Sequence, residues 1–213
     1  MRWKDDLERN LKEKMNYNQI AEKLIDLQNA DLALREKLVK SGRLSEGYDE
    51  EMKALHNRNA KLLNEIIAVI GYPTVEKVGK EASEAAWLVI QHAIEQPQLM
   101  KKCAELLRIE VAKGNAEPKS LAYLYDRIAV FEGKSQLYGT QFDWDENGEL
   151  SPNAFDDLVE VNKRRSSVGL DTLEEQTALI RANAKKENQQ PPKDLEKRRQ
   201  EVEAWKKKVG WIR

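Results

Sequence analysis

The chain is short of the residues that most extracellular and metal-bound folds rely on. One cysteine, Cys103, stands among 213 residues, so no disulfide forms within the chain. That excludes a disulfide scaffold and fits a reducing, cytoplasmic setting. Cys103 lies on a helical pattern beside Ala104, which predicts a buried inert thiol in place of a nucleophile. There are two histidines, His56 and His92. With one cysteine they cannot build a classical zinc site unless carboxylates complete it, so no metal and no cofactor are expected. Six Pro and ten Gly argue against collagen-like and many-turned β architectures. The longest apolar runs, 66–70 and 85–90, fall well short of the ~20 residues that cross a bilayer. Met1-Arg2-Trp3-Lys4-Asp5-Asp6 leads into alternating charge with no apolar stretch, which predicts no cleaved secretory signal. Neither sign of charge dominates: Lys plus Arg is 36, Asp plus Glu is 37, and the net charge is −1. A globally basic nucleic-acid binder is therefore not indicated. Phosphate-binding glycine loops, the dinucleotide fingerprint, HExxH and the serine-hydrolase elbow are missing as well.

What is present is helical periodicity. Within 3–40, Leu7, Leu11, Ile20, Leu24, Leu27, Leu34 and Leu38 recur mostly three or four residues apart, which predicts one long helix, with a break near Asn16-Tyr17-Asn18. Ser41-Gly42 supplies a stop. A second helix is expected over 49–70 with Asp49 as N-cap, ended by Gly71 and Tyr72-Pro73. The third, 75–95, is apolar nearly all round in its second half and should be the central buried helix. Pro97 and Pro118 open a fourth and a fifth, ended by Gly114 and Gly133. The pattern then changes. Residues 134–153 contain Asn147-Gly148 between short β-compatible runs, a ribbon signal. Helices follow over 155–165 and from the capping box at Thr172 to about 186. Asn188-Gln189-Gln190-Pro191-Pro192 reads as a linker before a charged helix over 193–208. The expected architecture is a mainly α multi-helix bundle, or stacked helical hairpins, with a small β-ribbon or ordered loop after the fifth helix. The division expected is a helical domain over 1–187 and a linker with basic helix over 188–213.

Polar residues embedded in apolar helices are the candidates for chemistry. Gln91-His92 interrupts the end of the third helix, and Asp126-Arg127 interrupts the fifth. Gln136, Tyr138, Gly139, Thr140 and Gln141 follow in the loop. If helices three, four and five are successive antiparallel neighbours, one end of the bundle collects all of these in a concave polar site. There His92 is a candidate general base, Asp126 its orienting partner, and Arg127 a bidentate anion ligand. Tyr138, Thr140 and the Gly139 backbone are candidate donors to a ligand. His56 and Asn59 share one face of the second helix and join the ligand-binding candidates. The structural alternative carries equal weight: a core histidine and an ion pair that holds the loop.

Two further stretches have a plain reading and a sharper one. Asp143 to Ser151 matches a calcium loop in part, but its twelfth position is Ala154, so a solvated acidic turn is preferred. From Lys185 onward the charge is +5, which would suit an anionic partner, nucleic acid included, but a solvated helix with internal ion pairs is the preferred reading. Trp205 and Trp211 are its apolar handles.

An ordered series of short motifs carries a resemblance. It comprises Gly71-Tyr72-Pro73-Thr74, Val78-Gly79, Ala85-Ala86-Trp87-Leu88, Gln91-His92-Ala93, Leu121-Ala122-Tyr123-Leu124, Asp126-Arg127 and Gly133. It continues with Gln136 to Phe142, Arg164-Arg165 and Val168-Gly169-Leu170. Over about residues 32–173 the chain resembles the bacterial domain of unknown function family 6624, which usually has Trp where Tyr72 stands. The resemblance implies that Gln91, His92, Asp126, Arg127 and the Tyr-Gly-Thr-Gln loop belong to the family pattern, and it brings no activity. Two function classes stand. One is a small-ligand site at the His92/Asp126/Arg127/Tyr138 end, in its sharper form a metal-independent enzyme acting on a small anionic or polar substrate. The other is a helical protein-interaction module in which these residues are structural.

Overall fold

The computed structural model describes the backbone of residues 2–41 and 48–213 and the side chains of residues 16–41 and 48–213. Gly42, used above for a stop, lies outside those residues, and Leu7 and Leu11, used for a helix face, lie outside those whose side chains are described. The fold is mainly α, with one two-stranded antiparallel ribbon among the described residues. The chain divides into two compact units, residues 1–116 and 117–213.

The first unit begins with α1 (Arg2–Lys40), which runs unbroken through Asn16-Tyr17-Asn18. The expected break is absent because the segment holds neither Gly nor Pro, and Asn and Tyr cost a helix only ~0.5 kcal/mol each. The turn after Gly71 separates α2 (Glu50–Ile70) from the short α3 (Val75–Val78) and α4 (Lys80–His92). At the start of α2 the Asp49 carboxylate accepts from the Glu51 and Met52 amides at 2.8 and 3.4 Å, the expected cap. The single third helix expected over 75–95 is two helices. Gly79 sits between them at φ +82°, a conformation with little penalty only for glycine. α4 packs against α1, α2, α3 and α5 (Pro97–Ala112), and so is the central helix the apolar pattern predicts. Ala82, Ala85 and Ala86 are buried on it, and such small side chains let neighbouring helices come close.

The second unit begins with α6 (Pro118–Phe131), followed by the ribbon of β1 (Phe142–Trp144) and β2 (Leu150–Pro152). The register pairs Phe142 with Pro152, Asp143 with Ser151 and Trp144 with Leu150. The helices α7 (Leu158–Ser167), α8 (Leu173–Lys186) and α9 (Leu195–Val209) complete it. The Thr172–Glu175 capping box forms as the sequence predicts. The charged helix α9 docks on α6 through the aromatic handles at its end. Trp205 and Trp211 lie 5.5 and 5.0 Å from the Phe131 ring, and Trp211 is buried. Lys206 Nζ donates to the Val130 carbonyl at 2.7 Å. The few apolar positions of the tail suffice because they are large aromatics.

Candidate functional site

Three side chains meet inside the first unit. Asp31 lies on α1 at the position that continues Ile20, Leu24 and Leu27 toward Leu38 on the buried face. His56 lies on the buried stripe of α2 with Asn59, Ala60, Leu63 and Ile67. His92 is the last residue of α4. Asp31 Oδ2 is 2.7 Å from His92 Nδ1 and 3.0 Å from His56 Nε2. The two imidazole centroids are 4.7 Å apart. Behind His56, the Tyr48 hydroxyl is 2.8 Å from Nδ1.

The electrostatics follow from the packing. Burial pushes the Asp31 carboxyl up, but the imidazoles of His56 and His92 against it outweigh burial and hold it well below the usual carboxylate range. An ionised carboxylate only accepts, so His92 donates to it from Nδ1 and turns Nε2 away from it. The His92 side chain is 30% exposed, whereas that of Asp31 is 2% exposed. Burial and the carboxylates of Glu95, Asp31 and Glu50 push the Tyr48 phenol up, so it stays protonated at neutral pH. Two polar atoms of the cluster, Asp31 Oδ1 and His56 Nε2, are buried without a hydrogen-bond partner. The Nε2 lies close to the carboxylate yet is not aligned to donate to it.

The other residues singled out by sequence divide between the units. Gln91 is buried beside His92 on α4, and Asn59 donates to the Leu27 carbonyl at 3.1 Å, tying α2 to α1. Asp126, Arg127, Gln136, Tyr138, Gly139, Thr140 and Gln141 belong to the second unit, where the loop after α6 absorbs most of their polar groups. Fully buried Asp126 accepts from the amides of Leu137 at 2.8 Å, Tyr138 at 3.1 Å and Thr140 at 2.9 Å, and from the Thr140 hydroxyl at 3.0 Å. Gln136, also buried, donates to the carbonyls of Gln141 and Asn153 and accepts from the Gln141 amide. Arg127 Nε donates to Gln141 Oε1 at 3.1 Å. From α7, Arg164 Nε donates to the Leu137 carbonyl at 2.6 Å and Arg165 to the Tyr138 carbonyl at 2.8 Å. The loop is thus gripped through its N–H groups by Asp126 and through its C=O groups by two arginines. Gly139 has φ +64°, and a Cβ there would stand 2.8 Å from Leu173 Cδ1, so the loop packs on α8 only with glycine.

Sequence reasoning offers Asp126 as the carboxylate behind His92; the structure puts Asp31 there. Asp31 does leave a signal in the sequence: a charge at the gap between Leu27 and Leu34 in an otherwise apolar stripe. In the ribbon, the Asp145 carboxylate accepts from the Asn147 and Glu149 amides and the Ser151 hydroxyl, and Asp143 pairs with Arg198. The Asp145 carboxylate serves the turn, and that of Asp143 ties the ribbon to α9.

A family profile matches residues 18–186, and the chain belongs to that family, a family of unknown function (DUF6624). No curated protein and no solved structure matches the chain. Among the described residues no helix is long and apolar enough to cross a membrane.

Proposed function

We propose, on geometry alone because the family brings no activity, that the first unit binds a small polar or anionic ligand at the Asp31–His56–His92 cluster. In this reading His92 is the group that meets the ligand and exchanges a proton with it. One observation carries it: a partly exposed imidazole is held at 2.7 Å by a carboxylate that is itself almost wholly buried. A carboxylate behind an imidazole fixes the tautomer and leaves one ring nitrogen for work at the surface. A core that only needed packing would place an apolar side chain at position 31, as the stripe does on either side.

The test is a thermal-shift screen of the full chain against small carboxylates, phosphates and amides, in buffer containing a chelator. A ligand at a hundred times its Kd adds ~2.7 kcal/mol to stability, which is a shift of several degrees. The expected result is a shift that His92→Ala and Asp31→Asn both remove. A shift that survives both substitutions contradicts the reading.

A second reading is favoured for the second unit. Asp126, Gln136 and Arg165 are buried and spend their hydrogen bonds on loop backbone. There the family motifs support a loop-locking role, as in a helical module that presents a fixed surface to a protein partner.

A further inference from the structure

We propose that Asp31, His56 and His92 bind a divalent first-row transition-metal ion such as zinc. The proposal rests on reading this cluster as a ligand site and names an ion as one of its ligands. One carboxylate oxygen and one ring nitrogen from each histidine lie within 4.8 Å of one another. The carboxylate oxygen stands 2.7 Å from one nitrogen and 3.0 Å from the other. Donors that share an ion at ~2.1 Å in tetrahedral or octahedral geometry are about 3.0–3.4 Å apart, close to this spacing.

A second observation points to a ligand independently of the spacing. His56 Nε2 and Asp31 Oδ1 are buried polar atoms with no hydrogen-bond partner, although a carboxylate and an imidazole this close would ordinarily align to make one. An ion placed among the three groups satisfies the Nε2 lone pair directly and takes the carboxylate as a charged ligand. The surroundings also suit metal binding. Tyr48 Oη, 2.8 Å from His56 Nδ1, accepts a hydrogen bond from Nδ1–H once Nε2 ligates, as the usual outer partner of a metal-bound histidine does. Two imidazoles and one carboxylate are a donor set for Zn²⁺, Fe²⁺ or Co²⁺, not for Ca²⁺ or Mg²⁺. As the ion takes Nδ1, the His92 proton moves to Nε2, so the imidazole stays neutral and ligates through the freed Nδ1 lone pair. Three protein donors leave at least one coordination position, and an anionic group of the ligand proposed above would occupy it.

Full-length protein stripped with chelator and dialysed is titrated with Zn²⁺ and with Co²⁺ by calorimetry, and the Co²⁺ form is read by visible absorption. The expected result is one ion per chain, with His92→Ala and Asp31→Asn each weakening binding at least a hundredfold and Tyr48→Phe about tenfold. Circular dichroism confirms that each variant is folded; where His92→Ala is not, His92→Gln takes its place. Absence of binding by the folded wild-type chain at millimolar Zn²⁺ and Co²⁺ overturns the proposal, as does binding that survives loss of His92. Because the small-ligand screen runs with chelator present, either reading can fail while the other stands.

Discussion

At the scale of the residue, Asp126 and Asp31 are both buried carboxylates, but their surroundings give them opposite work. Asp126 is fully buried and met by loop donors, three amides and a hydroxyl. Its removal strands those donors, and hydrogen bonds to a charged acceptor are worth ~1.5–3 kcal/mol each. Asp126→Ala is therefore expected to cost at least about 3 kcal/mol in denaturant unfolding. A loss under about 1 kcal/mol would mean that the loop finds other acceptors. Cys103 gives a pH test. Burial pushes its thiol from 9.0 up to about 12. The folded chain thus holds this proton more tightly than the unfolded chain. Its contribution to stability is intact below pH 9.0 and is lost as pH rises from there toward about 12. A thiol reagent at pH 8–9 should label Cys103 only at the rate of unfolding; prompt labelling of the folded chain would contradict its burial. Sequence made His56 and His92 visible because histidine is rare here. It hid Asp31 among 37 acids, since only its place in an apolar stripe distinguishes it.

At the scale of the element, helix existence is legible and helix ends are less so. Pro97, Pro118, Asp49 and Thr172 mark starts that the structure keeps, because a cap or a fixed φ acts locally. Gly79 splits a helix that periodicity joins, because its effect depends on a turn that apolar spacing does not register. The tail shows the reverse. Its average composition reads as solvated, yet two aromatics decide where α9 goes. A chain ending at Gln190 removes Trp205, Trp211 and the Lys206 contact with Val130, and uncovers Phe131. Burying one large aromatic is worth ~1.5–3 kcal/mol, so the truncation should lower stability by roughly 3 kcal/mol. A melt superimposable on that of the full chain would show that α9 is dispensable. The loop after α6 was legible as a polar motif, but its role was not. A donor series such as Tyr-Gly-Thr-Gln looks the same in sequence whether it meets a ligand or a neighbouring aspartate.

At the scale of the whole molecule, the family match spans both units, and each unit of this chain holds a polar cluster. The central claim is that the cluster of the first unit is there for a ligand, at some cost to stability, while that of the second holds its own fold. Replacing a buried ionic group by well-packed apolar side chains is often neutral or stabilising by ~1–4 kcal/mol, whereas breaking a structural network is costly. The most direct measurement is equilibrium unfolding of the full chain carrying Asp31→Leu with His56→Leu, beside the wild type in chelator. The account predicts stability equal to or above wild type, with ligand and metal binding gone. A loss of about 3 kcal/mol or more would contradict it, because the cluster would then be what binds α1, α2 and α4 together.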